Sequence, residues 1–211
     1  MTEFDKKFEY LKVYIDELEK KFISEFLIPD LTIDAEVYEL DVRAYCILSH
    51  AAFEHYFEEI AEKVMIKSMD NWLSPKKEIN DSLLALAAYS EDRLKYDENK
   101  SEVSSVQIAE IFRLTKGRLS TKIRMENHGI SIEHLGKILL PVGLHIKQDI
   151  NLRNSLNQLV RQRGLYAHQG RVRNILSPEV AKTYVKDCLL LCDDLRKKAN
   201  AIFRKKSRTK R

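Results

Sequence analysis

Two guanidiniums and an imidazole fall within eight residues in Asn157-Gln-Leu-Val-Arg161-Gln-Arg163-Gly-Leu-Tyr166-Ala-His168-Gln-Gly170. An arginine is charged at every physiological pH and grips phosphate oxygens in a bidentate fork, whereas an imidazole titrates near neutrality and moves protons. Together they supply what phosphodiester cleavage needs when no metal takes part: charge neutralisation at phosphorus and general acid–base transfer. Arg161 and His168 stand seven residues apart, so an unbroken helix puts them on one face, with Arg163 well off it. Gly164 lowers helical stability there, and a loosened last turn lets either arginine approach the imidazole. Tyr166 has two readings, a stacked base or simple packing, and packing is the more economical. Arg171, Arg173, Lys205 and Lys206 are further cations within reach of an extended nucleic acid.

Spacing alone is a weak discriminator. With 14 Arg and 6 His in the chain, an Arg five to seven places before a His arises about once by accident, and Arg43 precedes His50 by seven. Arg43 and His50 lie within an apolar-striped helix and read as structural, while the Arg161/Arg163/His168 group sits toward a helix end followed by Gly170. His50 and Glu54 share a face and predict a local hydrogen bond; the three residues between them do not fit an inverted zinc-protease helix. No Glu-x-x-His pair of the di-iron type occurs, and there is no glycine-rich phosphate loop, nucleophile elbow or CxxC. Cys188 and Cys192 lie among leucines and read as small buried hydrophobes. The site therefore calls for no metal and no cofactor.

The elements that must position these residues are helical. Phe4, Phe8, Leu11, Ile15, Leu18, Phe22 and Phe26 recur at three- and four-residue spacing, a stripe that ends before Pro29. A long helix is predicted over about 35–69, ended by the stretch 70–77 with Trp72 and Pro75, then helices over 79–94 and 101–124, the latter starting near Ser104 or Ser105. Asn127-His128-Gly129 makes a turn. Ser131 caps a short helix to Leu140 that Pro141 and Gly143 stop. The motif helix spans 146 to about 166, and Ser177-Pro178-Glu179 opens a last helix to about Phe203. No period-two alternation runs over five residues or more. The expected fold is all-α: a single-domain bundle of five to six main helices over residues 1–203, with a basic, solvated tail at 204–211.

Six Gly and four Pro in 211 residues, 44% hydrophobic and 32% charged, suit such a bundle. The net charge of +4 is uneven: the tail Arg204-Lys-Lys-Ser-Arg-Thr-Lys-Arg211 carries six positive charges, which leaves the body at −2. If the tail steers nucleic acid, its contribution falls steeply with salt. No apolar run approaches the roughly 20 residues of a membrane span, no signal-peptide pattern opens the chain, and three cysteines fit a reducing compartment. The expectation is a cytoplasmic protein with no membrane partner.

The chain resembles the HEPN superfamily (higher eukaryotes and prokaryotes nucleotide-binding), in its stand-alone prokaryotic nuclease branch. The mark of that superfamily is Arg, four to six residues, then His near the end of the penultimate long helix. Arg163 to His168 fits with four intervening residues and Arg161 to His168 with six. Ala167, Gly170, the stretch Leu48-Ser-His-Ala-Ala-Phe53-Glu-His-Tyr-Phe57 and Glu126-Asn-His-Gly129-Ile130 are similar to the family as well. One departure is that members commonly carry a polar residue after the arginine, where this chain has Gly164 or Gln162.

The resemblance implies metal-independent RNA cleavage by a homodimer with a composite site, in a toxin or antiviral defence effector that an antitoxin or other regulatory protein restrains. Within it, His168 handles the proton of the ribose 2′-hydroxyl or of the leaving 5′-oxygen. Arg163, supported by Arg161, neutralises the phosphorane. The alternative is a non-catalytic module of the same fold that binds nucleotide, RNA or a partner protein.

Overall fold

The computed structural model describes residues 1–27, 33–75, 77–90, 105–126, 129–168 and 175–204, without the side chains of residues 105, 106, 167 and 168. Among the described residues seven α-helices follow one another: α1 Glu3–Phe22, α2 Ala35–Leu73, α3 Asp81–Tyr89, α4 Ser105–Thr121, α5 Ile132–Leu139, α6 Ile150–His168 and α7 Pro178–Ile202. Five are long and two, α3 and α5, are short; no strand occurs among the described residues. The expected all-α bundle is the observed fold.

Local chemistry sets the helix ends. Thr2 and Asp5 open α1 with a reciprocal capping box, Thr2 Oγ1 accepting from the Asp5 amide at 3.1 Å and Asp5 Oδ2 from the Thr2 amide at 2.9 Å. Beyond Phe22 the chain tightens into a 3₁₀ turn over Ser24–Phe26. Helix α2 reaches Leu73 rather than ending near Met69, because Ser74-Pro75 is the first true breaker and Trp72 is held by an edge-on contact with Phe112 of α4, 5.2 Å between centroids. Asn80 caps α3, which stops at Tyr89 with Ser90 extended, short of the expected Leu94; residues 91–94 lie outside the described ones. Helix α4 continues through a widened π-type turn, Lys122–Glu126, where Arg124 pairs with Glu62 of α2 at 2.6 Å. Ser131 and Ser177 cap α5 and α7 as expected. Gly143 closes the turn after α5 at φ +74°, with the Ser82 backbone 3.3 Å from where a Cβ would sit. Both facts require glycine there.

Helix α2, 39 residues and thus roughly 58 Å long, is the spine. It packs on α1, α6 and α7, and α6 packs on α7 in turn. Val42, Tyr45, Cys46, Phe53, Phe57, Ile60 and Val64 of α2 fill the core together with Ile15 of α1, Leu156 and Leu159 of α6, and Val185, Leu191 and Leu195 of α7. Cys188 and Cys192 are buried in it, as the leucines around them imply. Among the described residues no helix is long and apolar enough to cross a membrane.

Candidate functional site

The site is built on the C-terminal half of α6. Asp149 starts this helix, its Oδ1 accepting the amides of Asn151 and Leu152 at 3.1 and 3.2 Å, so the helix begins four residues after the expected Ile146. Ile146 is buried in the extended stretch before it. Leu152, Ser155, Leu156, Leu159 and Tyr166 form the buried face, and the Ser155 hydroxyl donates to Asp187 of α7 at 2.5 Å. Arg161 and Arg163 are both exposed.

Helix α6 extends through Gly164 to His168, two residues beyond the expected end. The motif therefore lies inside regular helix rather than past it. At 3.6 residues per turn, Arg161 and His168 stand about 20° apart around the axis, and Arg163 about 140° from His168. The loosening expected at Gly164 is not seen. Nothing lies within 4 Å of a Cβ placed there, so the glycine is not required by close approach either.

The charge of the exposed Arg163 bears on His50 of α2. His50 is 2% exposed, and burial, reinforced by Arg163, pushes its imidazole down to about 4. The hydrogen bond expected between His50 and Glu54 is not made: Nδ1 stands 3.9 Å from Oε2, too far. Glu54 instead accepts the backbone N–H of Gly129, which holds φ +123°. Two turns before His50 on α2, Arg43 donates to the carbonyl of Tyr166 at 3.3 Å and lies over its ring, 5.3 Å from the centroid. Tyr166 is 6% exposed, so its ring packs beneath a guanidinium instead of presenting a face to solvent. Burial raises its hydroxyl to about 12.

Arg171, Arg173, Gly170, Lys205 and Lys206 lie outside the described residues, as do the turn residues Asn127 and His128 and, beyond Arg204, the basic tail. Among the described residues no three His, Cys, Asp or Glu side chains converge on a metal position. Sequence reasoning set Arg43 aside as structural. The signal that reveals its neighbourhood is the series Glu39, Arg43, His50, Glu54, four polar residues at helical spacing along one side of α2.

The RiboL-PSP-HEPN family model matches residues 9–201, nearly the whole chain and all of the geometry above. No curated protein and no solved structure matches it.

Proposed function

The chain belongs to the RiboL-PSP-HEPN family, whose wider group is associated with nucleotides and RNA and often with RNA cleavage; from that premise we propose that it is a metal-independent endoribonuclease. The observation that carries this reading is the continuity of α6 to His168, which gives Arg161 and His168 one side of a regular helix at the end of the bundle. Arg161 is then the arginine that meets the scissile phosphate. Arg163, about 140° from His168 around the helix, adds positive potential.

The step is an in-line transesterification. The ribose 2′-oxygen attacks phosphorus as an imidazole takes its proton, the P–O5′ bond breaks, and the 5′-oxygen leaves with a proton from a second imidazole. The products are a 2′,3′-cyclic phosphate and a 5′-hydroxyl, and the need for the 2′-hydroxyl selects RNA over DNA. One chain brings a single imidazole on α6, so the second comes from a second copy. A homodimer is further supported by a stripe on α2 that is largely exposed among the described residues. Val37, Leu40, Ala44, Ile47 and Ala51 repeat at three- and four-residue spacing, with Val37 61% and Leu40 73% exposed. The stripe adjoins the polar series that includes Arg43, whose guanidinium meets the end of α6. The biological setting we infer is a toxin or antiviral effector in the cytoplasm, restrained by a regulatory protein.

The decisive experiment is His168→Ala in purified protein, assayed on RNA with excess chelator. We expect cleavage to fall by about 10²–10⁴-fold, the usual yield of general acid–base catalysis. Cleavage at the wild-type rate would overturn the assignment. A binding module without turnover is the competing reading, favoured by Gly164 where the family commonly has a polar residue. It predicts RNA affinity that depends on Arg161 and Arg163 with no product.

A further inference from the structure

The last four carbonyls of any α-helix have no partner within the helix. In α6 the carbonyl of Tyr166 is one of them, two residues before His168. It is met from another element: Arg43 Nη2 of α2 donates to it at 3.3 Å. The same guanidinium lies over the Tyr166 ring at 5.3 Å, and its Nη1 stands 3.5 Å from Glu39 Oε1, one turn earlier on α2. Arg43 is 16% exposed and Glu39 20%, so the group works where water competes weakly. A planar cation with several donors can serve carbonyl, ring and carboxylate at once, which a lysine cannot. Its charge also sits at the negative end of the α6 dipole.

We propose that Arg43 is a positioning residue: a cap contributed by α2 that fixes the last turn of α6 and so sets the direction in which Arg161 and His168 are presented. Tyr166 is the handle that Arg43 holds, by backbone and by ring together. Glu39 holds the guanidinium in place. The adjoining contact of Glu54 with the Gly129 amide ties the turn before α5 to the same side of α2, so the seam continues past the cap. The helix end thereby gains a fixed geometry, and catalytic groups need such geometry to within fractions of an ångström.

The activity readout rests on the nuclease reading; the structural readout does not. The test uses the full chain with Arg43→Met and Arg43→Lys, reading hydrogen exchange of the amides at 164–168 against those of α7, and kcat and KM on RNA. For Arg43→Met we expect exchange in the last turn of α6 to rise about tenfold, the effect of losing one hydrogen bond to a charged group. In the same variant kcat should fall by about 10–100-fold with KM nearly unchanged. Arg43→Lys should fall between, because it can keep one of the three contacts. Wild-type exchange at 164–168 in Arg43→Met would overturn the cap. Faster exchange spread equally over α2 and α7 would overturn it too, as the mark of a merely structural loss. Should Arg43→Met fail to fold, Tyr166→Leu, which keeps the carbonyl and removes the ring, carries the same comparison. A wild-type chain that cuts no RNA sinks the nuclease reading, while the exchange data still decide the cap.

Discussion

The two ends of the bundle are held by different means. At one end, the start of α1 meets the end of α7. Asp5 accepts from Arg196 at 2.5 Å and from Asn200 at 2.9 Å, Phe4 stacks on Phe203 at 5.7 Å, and Lys67 of α2 caps both rings at 5.3 and 4.8 Å. Each contact there is backed by another. At the other end, the guanidinium of Arg43 meets the last turn of α6, and Arg161 is exposed. Redundancy marks the end that only has to stay closed. Exposed cations beside a helix terminus mark the end that, on the proposed function, meets RNA.

The largest expected effect lies at the closed end. Phe4 is fully buried between Phe203 and the α2 surface. Phe4→Ala should cost about 3–5 kcal/mol of unfolding free energy, the usual range for emptying a buried Phe site. Denaturant melts read this directly, and the loss should come with little change in kcat at temperatures where the variant is folded. A variant that is stable but inactive would show that the two ends are coupled.

At the open end the arginines separate. Arg161→Ala should lower kcat by about 10²–10³-fold, as removal of a preorganised charge donor does. Arg163→Ala should cost less, and should let the His50 imidazole titrate above its present value of about 4. The reverse ranking in a cleavage assay would mean that the last turn of α6 unwinds when RNA is bound.

How much of this was legible beforehand divides along the same line. The Ser131 and Ser177 caps and the stop at Pro141-Gly143 follow from capping and turn chemistry, which act over a few residues, and are found where expected; the stripe from Phe4 is helical only to Phe22, and Phe26 lies in a 3₁₀ turn instead of the same helix. The start of α6 was misplaced because Asp149 is a good cap hidden behind an apolar run, Leu144 and Ile146, that continues in extended form. The end was misplaced because Gly164 weakens a helix by an amount that packing against α2 and α7 readily offsets. Arg43 could not be read as a partner of Tyr166 at all: the two are 123 residues apart, and no local pattern encodes a contact across that distance. The family resemblance drew the right superfamily from the Arg/His element, yet it is the helical register, visible only with α6 continuous, that separates Arg161 from Arg163.

A pH experiment sharpens the contrast next. The unfolded His50 imidazole takes a proton near 6.5, whereas the folded one resists protonation until about 4, because burial and the Arg163 charge disfavour the cation. The unfolded chain therefore binds more protons across that interval. Stability should be full above about pH 6.5 and decline as the pH falls toward 4, by roughly 3 kcal/mol at most. Asp5 adds to the decline only lower down: the Thr2 amide and Arg196 hold its carboxyl far below the usual carboxylate range, so its share is present above about pH 4 and fades beneath it. Denaturant midpoints at pH 7, 6, 5 and 4.5, with His50→Gln alongside, resolve the two. An unchanged slope in His50→Gln would mean that another group carries the effect.

The smallest effect is the most discriminating for the site. Gly164 sits in regular helix with no atom within 4 Å of an added Cβ, so Gly164→Ala should stabilise α6 by about 1 kcal/mol through backbone entropy alone. If the continuous helix is the working form, the variant keeps its cleavage rate while its melting temperature rises. If the last turn must loosen for either arginine to reach the phosphate, the same substitution stiffens the wrong state, and kcat falls as stability climbs. The sign of that correlation, read from one variant by calorimetry and single-turnover cleavage, decides whether Arg161 and His168 act from one rigid helix face or from a turn that opens.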